Sequence, residues 1–474
     1  MHDGGSYPQK TIWQFCRKEG EIRMNPSMFR EYDIRGIAGK DMSDDDVVLI
    51  GRGIGTFLRN KGCSRITVGR DCRLSSDLYG RLVVEGLIST GCQVTDIGVC
   101  PTPLLYFSIH HLEREGGVMV TASHNPASYN GFKICLGAGS VYGEDIQRIR
   151  RIIEDRAFMK GAGCLDTANV FPDYRQYLLD NIHLSKRLRI GIDAANGAAG
   201  PVALPIMTSM NLEVHDLYCE MDGNFPNHEA DPTVLENMND LISLVREKHL
   251  DVGIGYDGDG DRIGVVDEKG QIVYGDKLMI LFAREILSRK PGATFISEVK
   301  CSQTLYDDIA KNGGNPIMWK TGHSLIKQKM KETHAELAGE MSGHMFFADR
   351  YLGYDDATYA SCRLLEILSR TDKTLSELLA DVPRTFTTPE IRVDCPDDQK
   401  FALVKKVTEH FRTRRQVIDI DGVRVLFDDG WGLIRASNTQ PALVLRFEAA
   451  SEARLSDIRQ TMESVLTEMQ STHR

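Results

Sequence analysis

The chain has no run of about 18 consecutive apolar residues, the length that a membrane-spanning helix requires. Its first 27 residues mix Lys, Arg and Glu without the apolar core of a signal peptide, so the expected protein is soluble and unexported. Paired cysteines are missing too. The 11 cysteines are scattered singly, with no CxxC pair and no Cys/His cluster, which argues against a zinc site or a disulfide framework and fits reduced thiols in a cytoplasm. Nor is positive charge in excess: Lys and Arg number 57 against 67 Asp and Glu, a net charge of -10, which argues against a nucleic-acid surface. A phosphorylated substrate would have to meet locally gathered cations. The G-x-S-x-G elbow of a serine hydrolase is also absent.

What is present is organised around 118–133, VMVTASHNPASYNGFK. Val118, Met119 and Val120 read as a buried strand, and Ser123 follows in a polar turn, with Asn125, Pro126, Asn130 and Gly131 as loop punctuation. A second apolar run, 252–255, leads into Asp257-Gly258-Asp259-Gly260-Asp261-Arg262. Three carboxylates at alternate positions, separated by glycine, can converge on one hard cation. An EF-hand is excluded because Arg262 stands where that loop needs glycine, and the flanks are β-like. Magnesium suits the set, since it takes a few carboxylates and is completed by phosphate oxygen.

At 474 residues the chain is long enough for three or four domains, at ~100–200 residues each. Helical spacing at 47–58 and 78–90 alternates with strand-like runs at 65–69 and 93–97, which predicts a parallel or mixed sheet sandwiched by helices. Strand-to-turn openings recur at 66–71, 189–197 and 294–300, roughly 105 to 125 residues apart, suggesting three related α/β domains. The last ~90 residues change to short β-like runs with Asp421-Gly422 and Asp429-Gly430 as hairpin signals, then an amphipathic helix after Ser451, an α+β domain. The expected domains are 28–168, 169–272, 273–384 and 385–474. Residues 1–27 read as a disordered extension, or as the product of an upstream start before Met24.

TASHNP with NGFK, DGDGDR, GEMSGH at 339–344 and RASNTQP at 435–441 resemble the four signature loops of the phosphohexomutase superfamily, in its bacterial phosphomannomutase/phosphoglucomutase branch. The motifs occur in family order from Met28 onward, and Tyr32-Asp33-Ile34-Arg35-Gly36 resembles the family's N-terminal loop. Ala122 stands where close relatives often have Gly. As i and i+2 residues of an extended loop, Glu340 and Ser342 would project to one side. The resemblance implies that Ser123 is carried as a phosphoserine, that Ser123, Asp257, Asp259 and Asp261 hold Mg2+, and that Glu340 and Ser342 grip the sugar. It further implies that Arg435, Ser437, Asn438 and Thr439 cradle phosphate, with Tyr32, Arg262, Lys300, Thr321, Gly322 and His344 also facing substrate. His323 is the candidate base, with Arg35 and Lys133 as electrostatic or acid partners, because a mutase must take and return a proton near neutral pH.

The implied activity interconverts the 1-phosphates and 6-phosphates of mannose and glucose through a hexose 1,6-bisphosphate. Phosphoglucosamine mutase and a sugar-phosphate phosphatase are the alternatives, and a non-catalytic binding relative is disfavoured because every signature loop is intact. No nucleic acid or membrane partner is expected, and the assembly is a monomer or weak dimer.

Overall fold

Apolar runs that end in glycine-rich or polar turns become, in each of three sheets, a buried strand feeding a functional loop. The computed structural model describes residues 24–471 apart from Thr439. In the first sheet, the parallel strands Gly116–Val120, Arg65–Arg70, Gln93–Val99 and Cys164–Thr167 lie side by side in that order. The antiparallel strands Tyr129–Leu136 and Ile34–Ile37 extend it on the other side. Helices Asp44–Asn60, Ser76–Ser89, Thr102–His111 and Glu144–Glu154 accompany it. The first of these is started by a reciprocal cap between Ser43 and Asp46, which satisfies two otherwise unpaired donors.

The second sheet repeats the plan: Val252–Tyr256 runs parallel to Arg189–Asp193 and antiparallel to Ile263–Asp267. The third does so again, with Leu337–Gly339 parallel to Thr294–Glu298 and antiparallel to Met345–Phe347. The three strand-to-turn openings read from the sequence are thus the same strand of three mixed sheets. The serine, aspartate and GEMSGH loops are the same hairpin beside it. The fourth sheet is antiparallel, with Val423–Phe427, Gly430–Ala436 and Ala442–Ala449 in sequence and helices Asp397–Arg412 and Glu452–Ser471 against it.

Four local expectations change. NGFK is not loop: Asn130, Gly131, Phe132 and Lys133 lie within Tyr129–Leu136, because that strand pairs with Gly116–Val120 immediately after the turn. GEMSGH is not extended but a tight hairpin, with the Gly343 amide donating to Glu340 O and Gly343 at φ 97°, so alternation no longer puts Glu340 and Ser342 on one side. Gly430 pairs with Phe427, which makes Asp428-Asp429 the turn. The chain is also ordered before Met28. Met24 is buried in the first domain's core and Pro26–Met28 form a 3-10 turn capped by Asn25, whereas residues 1–23 lie outside the described part.

One apolar core runs continuously through helix Thr102–His111 and the second and third domains. The fourth domain has a core of its own and meets Val299 of the third through Trp431 and Leu433. Among the described residues no helix is long and apolar enough to cross a membrane.

Candidate active site

Ser123 leaves its strand with φ at 51°, the left-handed region that side chains with a Cβ rarely occupy. Arg73, a buried residue that no sequence motif singled out, holds the turn there. Its guanidinium donates to the carbonyls of Ser123, Asn125, Pro126 and Tyr129, and it is itself fixed by Asp71. Thr121 Oγ1 accepts from the Ser123 amide and donates to Asp71. The serine Oγ is thereby aimed at the second domain, where it donates to Asp257 Oδ2 at 2.8 Å. Gly258 allows that approach, since a Cβ there would lie 2.5 Å from Ser123 O.

Asp257, Asp259 and Asp261 are fully buried, with carboxylate oxygens within 4.8 Å of one another. Lys133 Nζ donates to Asp259 at 2.7 Å and to Asp261 at 2.5 Å, and Thr102 Oγ1 donates to Asp259 at 2.6 Å. Burial, with Asp261 and Asp259 acting in the same direction, pushes the Asp257 carboxyl well above its ordinary range. Burial works against ionisation of Asp259 as well, but Lys133 and Thr102 outweigh it and hold that carboxyl low. Asp259 Oδ1 and Asp261 Oδ1 are buried without a hydrogen-bond partner. Orphaned carboxylate oxygens converging on one point are costly unless a cation meets them, so the residues present fit a hard divalent ion.

The third domain closes over this centre. Arg262 Nε donates to His344 Nε2 at 3.0 Å, and His344 Nδ1 lies 3.0 Å from Asp355 Oδ2. The His344 ring is 5.8 Å from that of His323, which is 5.9 Å from that of Tyr32. His323 begins helix His323–Thr333, where the N-terminal dipole disfavours imidazolium, and burial followed by the Lys327 ammonium holds its pKa well below the ordinary value. Glu340 accepts from the Gly322 amide, while Ser342 is half-buried at the hairpin tip. Lys300 donates to Glu390, at the margin of this cluster.

Tyr32 ties three domains together. Its hydroxyl donates to Thr321 O at 2.9 Å and accepts from Asn438 Nδ2 at 2.8 Å, and a Cβ on Gly322 would strike its ring. Arg35 donates to Asn125 of the serine loop and to Asp33. In the fourth domain, Arg435 is buried and donates to Asp421, whose same oxygen accepts from the Thr321 amide at 3.0 Å. Ser437 Oγ accepts from the Gln440 amide, and Thr439 lies outside the described residues. Asp71, Arg73, Thr102, Asp355 and Asp421 are the supporting residues that sequence reasoning missed. Asp71 carried a signal as the acidic end of the opening at 66–71, and Asp421 carried one as a hairpin turn residue, not as a partner of Arg435.

The four loops therefore face one another, and comparison with known proteins agrees with that layout. Residues 26–160, 172–270 and 274–386 match the models of phosphoglucomutase/phosphomannomutase alpha/beta/alpha domains I, II and III, and 390–465 matches that family's C-terminal domain. The chain is 44% identical over 447 residues to a phosphomannomutase/phosphoglucomutase of Pseudomonas aeruginosa, covering 94% of this chain and 96% of that one. It is 42% identical over 444 residues to a phosphoglucomutase of Neisseria gonorrhoeae, with 93% and 96% covered. A crystal structure of a family protein from Burkholderia thailandensis superimposes with a TM-score of 0.89 at 41% identity, covering 94% and 98% of the two chains.

Proposed function

The chain belongs to the phosphoglucomutase/phosphomannomutase family, and on that premise we propose that it is an isomerase interconverting the 1-phosphates and 6-phosphates of mannose and glucose. The observation that carries the reading is the hydroxyl of Ser123, 2.8 Å from Asp257 within three buried carboxylates, opposite a domain that presents a buried arginine.

Ser123, carried as a phosphoserine, gives its phosphoryl group to the free hydroxyl of a hexose monophosphate. The Oγ–P bond breaks, a P–O bond to the sugar forms, and the sugar proton passes to a base. His323, neutral and partly enclosed, is our candidate for that base, and the departing Oγ recovers a proton and returns to the hydroxyl state. The bisphosphate then turns end for end and its other phosphate goes back to Ser123. Asp257, Asp259 and Asp261, with an oxygen of the phosphoserine, would hold Mg2+, which supplies neutralising charge for the phosphoryl oxygens during transfer.

Arg435, Ser437, Asn438 and Thr439 are assigned to the phosphate not being transferred, and Glu340 and Ser342 to the sugar hydroxyls. Arg35 and Lys133 flank the serine loop as cations. We place the enzyme in the cytoplasm as a monomer or weak dimer.

A coupled assay with mannose, glucose and glucosamine phosphates side by side tests the assignment. Turnover of the first two with organic phosphate conserved supports it. Preference for the glucosamine ester, or net release of inorganic phosphate, overturns it.

A further inference from the structure

In each α/β domain the strand beside the functional hairpin leads into a buried carboxylate, and in the first and third domains that carboxylate braces the hairpin directly. Asp71 does so for the serine loop through Arg73 and Thr121, and Glu298 for the GEMSGH loop through the Met341 amide and Thr321 Oγ1. Asp193 is the counterpart beside the aspartate loop, paired in register with Gly255. The cations beside Asp71 and Glu298 are Arg73 and Lys300, the latter at 4.0 Å, and both side chains stay charged at any physiological pH. Beside Asp193 stands an imidazole instead.

His228 Nε2 lies 3.1 Å from Asp193 Oδ2, and Nδ1 lies 2.9 Å from Glu229 O. A carboxylate and a carbonyl only accept, so the two contacts are both satisfied when both ring nitrogens carry protons, as in the imidazolium. Tyr218 meets the ring edge-on at 5.5 Å, its hydroxyl donated to Asp240 on helix Asn239–Lys248. Burial opposes the charge, but Asp193, the Glu229 carbonyl and Asp240 outweigh it and hold the ring above the usual histidine value.

The segment that His228 anchors touches both halves of the reaction centre. Ala230 O accepts from the Gly258 amide of the aspartate loop, and Asn227 donates to Asn196, whose neighbour turn donates from Ala198 to Gly258 O. The Phe225 ring lies 5.2 Å under Arg73, the residue that holds the serine turn. Ala195, Asn196, Tyr218 and Phe225 all have φ between 48° and 57°, strained backbone that persists only where its surroundings over-determine it.

We propose that the His228–Asp193 ion pair positions the aspartate and serine loops, and that its loss at alkaline pH loosens the metal centre. The inference rests on the mutase reading for its consequence in turnover but not for its test, which uses no sugar. With a folded-state value above the unfolded one, the pair's contribution is complete below about pH 6.5 and fades as pH rises through the folded value.

NMR of the His228 ring, assigned by difference with His228→Gln, and Mn2+ titration of chelator-treated protein followed by EPR at pH 6.5 and 9 decide the matter. We expect the ring to titrate above about 6.5, and the ratio of wild-type to His228→Arg Mn2+ affinity to fall with rising pH, the ratio cancelling the rise that deprotonation of ligands such as Asp257 gives both proteins. His228→Gln should bind Mn2+ about tenfold more weakly than wild type at the lower pH, and its ratio to His228→Arg should not change with pH. His228→Arg, copying the pairing of Asp71, should restore affinity at pH 6.5 and keep it at pH 9. A ring value at or below about 6.5, or wild-type Mn2+ binding and pH dependence in His228→Gln, overturns the proposal.

Discussion

Lys133→Met should destabilise the metal-free protein far more than the metal-loaded one. The ammonium is 7% exposed and donates to two carboxylates with no exposure at all, at 2.7 and 2.5 Å. Burial alone would depress its pKa, yet Asp259, Asp261 and Asp257 raise it, so the side chain is charged throughout the working range. Removing one partner of a buried ion pair leaves the other uncompensated, at a cost of roughly 3–5 kcal/mol. At about 2–4 °C per kcal/mol for a cooperative unit of about 150–250 residues, the size of the first two domains together, the melting temperature in EDTA should fall by about 6–20 °C. A divalent ion on the same carboxylates supplies the missing charge, and at a hundred times its Kd it contributes about 2.7 kcal/mol. Mg2+ should therefore close much of the gap and raise the variant's melting temperature more than the wild type's. Calorimetry of both proteins with EDTA and with Mg2+ checks this. Equal melting in EDTA, or a gap that Mg2+ leaves unchanged, would refute the reasoning.

Intact mass and peptide mapping should find phosphate on Ser123 in at least part of the isolated protein, and Ser123→Ala should abolish turnover; phosphate elsewhere with an active alanine variant contradicts the mechanism. Arg435→Ala removes a charge-assisted contact of roughly 1.5–3 kcal/mol, so kcat/KM should drop about tenfold to a hundredfold for 1-phosphate and 6-phosphate sugars alike. A loss confined to one of the two would show that this loop does not serve both half-reactions. Gly258→Ala puts a methyl 2.5 Å from Ser123 O, and backbone cannot rotate away as a side chain can. We expect the serine and aspartate loops to be forced apart, with roughly 1–3 kcal/mol of strain and a loss of activity measured in the same coupled assay. EDTA should inactivate the enzyme and Mg2+ restore it, with Asp259→Ala beyond rescue; full activity after exhaustive chelation would remove the metal from the mechanism.

The sequence by itself determined most of the elements and which polar groups each loop offers, because both are local. An apolar run before Ser123, alternate carboxylates spaced by glycine, and Asp421-Gly422 at a hairpin all act within a few residues of themselves. Where a local rule met a pairing partner it failed: Asn130 and Gly131 look like turn residues but are drawn into a strand by Gly116–Val120. Alternation likewise misplaced Ser342, since the Gly343 amide closes a tight turn onto Glu340 O. Only the tertiary structure decided which groups meet. Ser123 and Asp257 are 134 residues apart, Thr102 and Asp259 157, and Tyr32 and Asn438 406. Arg73 and Thr102 have no motif, and Asp421 showed only its turn, because their partners lie far away along the chain. A buried guanidinium, hydroxyl or carboxylate must find partners once water is removed, and which partners are in reach is settled by how the sheets pack.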